Sequence, residues 1–220
     1  IIKLSNNGCK TVDQLVPIWK DVRAVASNLI ETSEPNFLTS IESVERQLDR
    51  KEMYPRIYER LKIRLLAAIE ILEYKPAYKH YFRSLNYEWL RRHFRVEQAD
   101  ECVLSDPTGQ IINKGGTVLF AKLQNIVVGT AALVRHDSGI FELAKMAVAE
   151  SARRRLVGTK LTLEIIERAK AAGARYLYLE THPKLKPAQL LYENLGFERI
   201  DENLIPPAFG RRRIVMKMDL

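Results

Sequence analysis

Between Phe141 and Leu161 an apolar strand runs into three consecutive arginines and then into a helix. The strand reads Phe141-Glu142-Leu143-Ala144-Lys145-Met146-Ala147-Val148, followed by Ala149-Glu150-Ser151-Ala152 and by Arg153-Arg154-Arg155-Leu156-Val157-Gly158-Thr159-Lys160-Leu161. The first N–H groups of a helix have no intrahelical acceptor. Together with the helix dipole they form a site for a phosphate or pyrophosphate. Arginines beside such a site add charge-assisted bonds. From spacing alone, an anion site and an ordinary turn with surface arginines both stand.

The rest of the chain sets that segment in an α/β order. Apolar residues Val12, Leu15, Val16, Trp19, Val22, Ala26, Leu29 and Ile30 recur at helical spacing. The spacing predicts an amphipathic helix over about 11–32, with Thr11 and Gln14 as a capping box and Asn6-Asn7-Gly8 as a preceding turn. Ser33-Glu34-Pro35 breaks the pattern, Phe37 to Leu48 carries a second apolar stripe, and a third helix follows from Tyr54 to about Ala67. Near Ala68 the period changes to a strand. Lys75-Pro76 opens a helix through Phe94, and Asp106-Pro107-Thr108-Gly109 reads as a loop. Strands are expected over 117–122, 126–134 and 140–148, with turns at Asn125 and at Asp137-Ser138-Gly139. A helix ending at Gly173, a strand over 176–180, a helix from Pro187 to Leu195 with Gly196 at its C′ position and a strand over 214–218 complete the order. From residue 69 onward this is β-α-β-β-β-α-β-α-β, a sheet flanked by helices.

Composition narrows the function classes. The chain has 220 residues and a formal net charge of +8, which suits an anionic partner as readily as a solvated basic surface. No apolar run approaches the roughly 20 residues of a membrane span, and no signal peptide is evident, so a cytoplasmic protein is expected. Cys9 and Cys102 form no CxxC pair, and no His/Cys/Asp cluster suggests a metal.

Two segments together resemble one family. Arg153 through Gly158 is similar to the cofactor turn Arg/Gln-x-x-Gly-x-Gly/Ala of the GNAT N-acetyltransferase superfamily, with Leu156 in place of the middle glycine. Ala188-Gln189-Leu190-Leu191-Tyr192-Glu193-Asn194-Leu195-Gly196-Phe197 resembles the family's Ala-x-x-Leu-Tyr-x-x-x-Gly-Phe segment, about 35 residues downstream. Leu185 stands where many members carry an asparagine. The resemblance covers about residues 69–220 and implies the GNAT fold, a mixed and mostly antiparallel sheet flanked by helices, here preceded by a helical extension. It implies acetyl-CoA as co-substrate, held by Met146, Ala147 and Val148 on the strand and by Arg153, Arg154, Arg155, Leu156, Val157, Gly158 and Thr159 at the turn. An amine then attacks the thioester directly. Tyr192 takes the place of the general acid, and Glu142 or Glu180 that of the base. His182 is a weaker candidate for a proton relay. Asn86, Glu88 and Trp89 are expected in the acceptor wall. The acceptor would be a small-molecule or peptide amine.

The N-terminal third resembles a second family. Ile2-Lys3-Leu4-Ser5-Asn6-Asn7-Gly8 is similar to the last wing strand of a MarR-type winged helix, and the next two helices to that family's dimerisation helices. Residues 1–68 are thus identified as a MarR-like remnant that would form a homodimer through 11–66. The chain begins at Ile1 rather than Met, and a true N-terminus upstream is expected. DNA binding would require an upstream helix-turn-helix. The alternative function is a MarR-type transcriptional regulator whose GNAT domain senses acyl-CoA or a metabolite.

Overall fold

The computed structural model describes residues 5–33, 36–50, 52–136, 139–205 and 213–220. The residues 2–4 of the expected wing strand, Glu34-Pro35 of the expected helix break and Asp137-Ser138 of the expected turn lie outside the described residues. Two compact units divide the chain, Ile1–Arg60 and Leu61–Leu220.

The first unit is helical. Helix α1 spans Asn6–Ser33, α2 spans Phe37–Arg50 and α3, within which the unit boundary falls, spans Met53–Ala67. The expected turn at Asn6-Asn7-Gly8 is instead the first turn of α1. Ser5 Oγ accepts from the Gly8 N–H at 3.1 Å, so a serine cap starts the helix five residues before the expected start. Thr11 consequently lies inside the helix, where its hydroxyl donates to the Asn7 carbonyl at 3.0 Å and does not cap. No described residue of α1, α2 or α3 is buried. Ile18, Trp19, Val22, Phe37, Ile41 and Val44 are all exposed.

The second unit is built on one seven-stranded sheet of order β1-β2-β3-β4-β5-β7-β6. The strands are β1 Glu70–Glu73, β2 Thr117–Leu123, β3 Ile126–Arg135, β4 Ile140–Val148, β5 Tyr176–Thr181, β6 Glu198–Ile200 and β7 Ile214–Asp219. Every neighbouring pair is antiparallel except β4 and β5. The helices are α4 Lys79–His93, α5 Gln98–Ser105, the short α6 Pro107–Gln110, α7 Val157–Ala171 and α8 Lys186–Asn194. Two helices, α5 and α6, occupy the stretch expected to be a loop. Asp100 at the third position of α5 bonds back to the Glu97 N–H at 3.1 Å in a capping box, and Asp106 accepts from the Gly109 N–H at 3.0 Å. The sequence reading also missed β6, which pairs with β7 at the sheet edge.

Alternation along the strands divides the core into two layers. Leu119, Ala121, Ala131, Leu133, Leu143, Leu177 and Leu179 face α7, whose Val157, Leu161, Ile165 and Ala169 form one buried stripe. Val118, Phe120 and Ala132 face the other way, against Phe82, Tyr87 and Leu90 of α4 and Leu104 of α5. Each fully buried Leu or Ile of α7 contributes about 1.5–3 kcal/mol through burial. That anchoring fixes the start of α7 beside the end of β4, where the candidate site lies.

Candidate active site

The parallel pairing of β4 with β5 is short. It runs from Ile140 opposite Tyr176 to Leu143 opposite Leu179 and stops there. Beyond that point β4 continues to Val148 on β3, while Glu180 and Thr181 of β5 pair only with β7. The two strands therefore part, and the β5-facing edge of residues 144–148 has no ladder partner among the described residues. Ala149 donates its N–H to Val128 O at 2.8 Å on the β3 side. Alternation then aims the backbone groups of Val148 at the open side. Met146 and Ala147 lie along the same stretch, beside a bulge against β3 at which Lys145 takes a left-handed φ of 50°.

Next to this edge, the turn after β4 delivers α7. Leu156 is the residue preceding the helix, with φ 61° and ψ 14°, and no side chain caps it. This is the left-handed region, so the structure gives the reason for expecting glycine there. Leu156 meets the same backbone demand at a cost of about 1–2 kcal/mol. The first intrahelical bond runs from Lys160 N to Leu156 O at 2.9 Å, which leaves the N–H groups of Val157, Gly158 and Thr159 ahead of it. A Cβ on Gly158 would come within 3.3 Å of Leu191 Cδ2 and 3.8 Å of Met146 Cε, so this glycine sits where α7, α8 and β4 meet. Of the three arginines, Arg153 lies 3.8 Å from Glu150, whose carboxylate is also held by Arg92 of α4, while Arg154 and Arg155 are exposed.

Tyr192 is buried in the layer beneath α7, with its ring edge-on to Phe197 at 5.8 Å between centroids. Burial pushes the phenol above its ordinary range, so it stays protonated at neutral pH. No hydrogen bond from the Tyr192 hydroxyl to another described residue is seen, so its proton is not committed within the fold.

Glu142 and Glu180 share the other face of the sheet, but their surroundings differ. Glu142 Oε2 is 2.8 Å from His136 Nε2 and 3.2 Å from the Tyr178 hydroxyl, and that hydroxyl is 2.8 Å from the same histidine nitrogen. Burial and then the Glu142 charge push the Tyr178 phenol upward. Glu180 is ion-paired with Arg213, both being largely buried. Desolvation nevertheless raises its carboxyl above the ordinary range, outweighing the guanidinium.

The remaining candidates divide. His182 closes the turn after β5: its Nδ1 accepts from the Lys184 N–H at 3.1 Å and its carbonyl from Gln189 Nε2 at 3.0 Å. Its ring leans on Phe94 at 4.9 Å, and Phe94 in turn on Trp89 at 5.4 Å. Trp89 thus belongs to a row of rings running from the end of α4 to the end of β5. Asn86 is buried and donates to the Phe82 carbonyl at 2.9 Å within α4, while Glu88 is exposed. Sequence reasoning missed His136, Tyr178 and Arg213, and it missed the buried pair of Lys145 Nζ and Asp100 Oδ1 at 2.7 Å. Polar residues alternating with Leu177 and Leu179 were the available signal for Tyr178 and Glu180.

The sequence model of the acetyltransferase (GNAT) family matches residues 74–197. An uncharacterized N-acetyltransferase of Escherichia coli (strain K12), YjgM, is 44% identical over 73 residues, which are 33% of this chain and 44% of that protein. The chain thus matches less than half the length of that relative. A GNAT-family acetyltransferase from Staphylococcus aureus Mu50 superposes with a TM-score of 0.64 at 26% identity, over 69% of this chain and 99% of that one. An acetyltransferase from Streptococcus agalactiae shares the fold at a TM-score of 0.62 and 24% identity, over 70% and 99%. The yncA acetyltransferase of Salmonella typhimurium, solved with its cofactor acetyl-CoA, shares it at a TM-score of 0.56 and 18% identity, over 69% and 94%.

Proposed function

The chain belongs to the acetyltransferase (GNAT) family, and we propose that it transfers an acetyl group from acetyl-CoA to a primary amine by direct attack. The observation that carries this reading is the unpaired β4 edge lying beside the uncapped start of α7. Backbone groups of Met146, Ala147 and Val148 pair with the pantetheine arm as a neighbouring strand would. The N–H groups of Val157, Gly158 and Thr159 donate to the pyrophosphate, with Leu156 shaping the turn and Arg153, Arg154 and Arg155 adding positive charge. A backbone N–H at the open edge stabilises the oxygen of the thioester carbonyl as charge develops on it. Glu142 takes the proton from the acceptor amine. Glu180 is the alternative base, but its pairing with Arg213 favours Glu142. Tyr192 gives its proton to the departing thiolate.

Free-thiol release from acetyl-CoA, followed across a panel of amino acids, polyamines and peptides, tests the reading. Amine-dependent release with an N-acetylated product by mass spectrometry is expected. Release that no amine accelerates would remove the transferase reading.

The exposed apolar faces of α1 and α2 favour a further element. Residues 1–68 serve as a MarR-like dimerisation segment attached to an acetyltransferase domain at 69–220, in a cytoplasmic homodimer joined through residues 11–66. A MarR-type regulator that senses acyl-CoA through the same domain is the second reading, with DNA contacted only through an upstream helix-turn-helix. Among the described residues no helix is long and apolar enough to cross a membrane. Light scattering of the chain should give twice the monomer mass, and a monomer at micromolar concentration would discard the dimer.

A further inference from the structure

Glu142 is bonded on one side only. His136 Nε2 at 2.8 Å and the Tyr178 hydroxyl at 3.2 Å both meet Oε2, and Oε1 takes no bond from any described residue. His136 lies just past the end of β3, and its side chain is 41% exposed against 16% for Glu142. From these contacts we infer that His136 and Tyr178 are positioning residues that hold Glu142 by Oε2 and turn Oε1 toward the acceptor amine, and that protonation of His136 switches this base off. The inference rests on Glu142 being the base in the reading above.

The chemistry is that of a carboxylate with two donors on one oxygen. With a neutral imidazole, the Nε2–H and the phenol O–H both donate to Oε2, and Oε1 keeps its lone pairs for an N–H of the acceptor. The acceptor ammonium passes one proton to Oε1, and its freed lone pair forms the N–C bond to the thioester carbon. Collapse of the adduct breaks the C–S bond. The thiolate takes the Tyr192 proton, and the nitrogen returns its surplus proton to the Tyr192 phenolate, leaving the neutral amide. When His136 becomes imidazolium, a full positive charge sits 2.8 Å from Oε2 and opposes transfer of a positive proton to the same carboxylate. Proton transfer to Oε1 is therefore opposed once His136 has gained its second ring proton. Among the described residues, the Tyr178 hydroxyl lies 2.8 Å from His136 and Glu180 of β5 also feels its charge, with Arg213 paired to Glu180 and Lys217 of β7 over the neighbouring Tyr176 ring. Glu142 is the carboxylate that His136 touches, at 2.8 Å.

Three variants test this in the thiol-release assay with the best amine of the panel. His136→Ala should lower kcat about tenfold or more while KM for acetyl-CoA stays unchanged. His136→Gln keeps a donor that does not titrate, so it should retain most of kcat while the acid limb of the kcat/KM profile moves to lower pH. Tyr178→Phe should lower kcat without moving that limb. Wild-type kcat in His136→Ala, or an unmoved limb in a folded His136→Gln, would overturn the inference and leave the transferase reading intact. A wild type without amine-dependent release would instead defeat that reading. Independently of turnover, NMR titration of the His136 imidazole should show its proton affinity falling about tenfold in Glu142→Gln. An unchanged titration would overturn the coupling.

Discussion

Leu156 offers the sharpest test of the local architecture, because a glycine-type backbone is occupied there by a branched side chain. At φ 61° the residue incurs about 1–2 kcal/mol of left-handed strain that glycine would not. Glycine gives back about 0.4–1 kcal/mol through the greater freedom of the unfolded chain. Comparing Leu156→Gly with Leu156→Ala isolates the backbone contribution, since both lose the same half-buried leucine packing. Glycine should be the more stable of the two by about 1 kcal/mol, or about 2–4 °C in melting temperature for a chain of this length. Leu156→Ala should fall below the wild type by about 1 kcal/mol, since full burial of a leucine is worth about 1.5–3 kcal/mol and this one is half-buried. Differential scanning calorimetry of the three proteins, with acetyl-CoA titrated into each, supplies both readouts. Glycine should also tighten acetyl-CoA binding several-fold by allowing closer approach at the turn. An alanine variant at least as stable as the glycine variant would show that residue 156 is not left-handed in solution, and the explanation of this turn would fail.

Other expectations follow from the same geometry. Tyr192→Phe should leave acetyl-CoA binding intact and lower kcat by about 10²–10⁴; unchanged turnover would remove Tyr192 as the acid. Asp100→Asn removes the charge paired with Lys145 at a site where Asp100 is 1% exposed, and should cost about 3–5 kcal/mol in urea unfolding. The double variant Asp100→Asn/Lys145→Met, which keeps an acceptor for the Glu97 N–H, should recover most of that loss, and failure to do so would mean the pair contributes more than mutual neutralisation.

The strand and helix order from residue 69 was largely legible, because alternation and helical period are local signals and most elements lie within one or two residues of the expected ranges. The exceptions have physical causes. Asn6-Asn7-Gly8 reads as a turn by residue type, yet Ser5 caps a helix through it. The segment of α5 and α6 reads as a loop because Pro107 and Gly109 punctuate it, although Asp100 and Asp106 cap two short helices there. Tyr192 and the turn could be singled out as candidates from motifs, and Glu142 and Glu180 from their places on the strands. What could not be read was the distance at which β4 and β5 part, since it depends on pairing between residues more than 30 positions apart. For the same reason His136 stayed hidden: a histidine beside a turn becomes interesting only once β4 and β5 bring Glu142 and Tyr178 to its side.

Amide hydrogen exchange with and without acetyl-CoA would test the proposed transferase site most directly. Added acetyl-CoA is expected to protect the amides of Met146 and Val148 on the open β4 edge together with those of Val157, Gly158 and Thr159 at the start of α7. Saturating acetyl-CoA that leaves these amides unprotected, or that protects a different surface, would contradict the assignment of this cleft as the cofactor site.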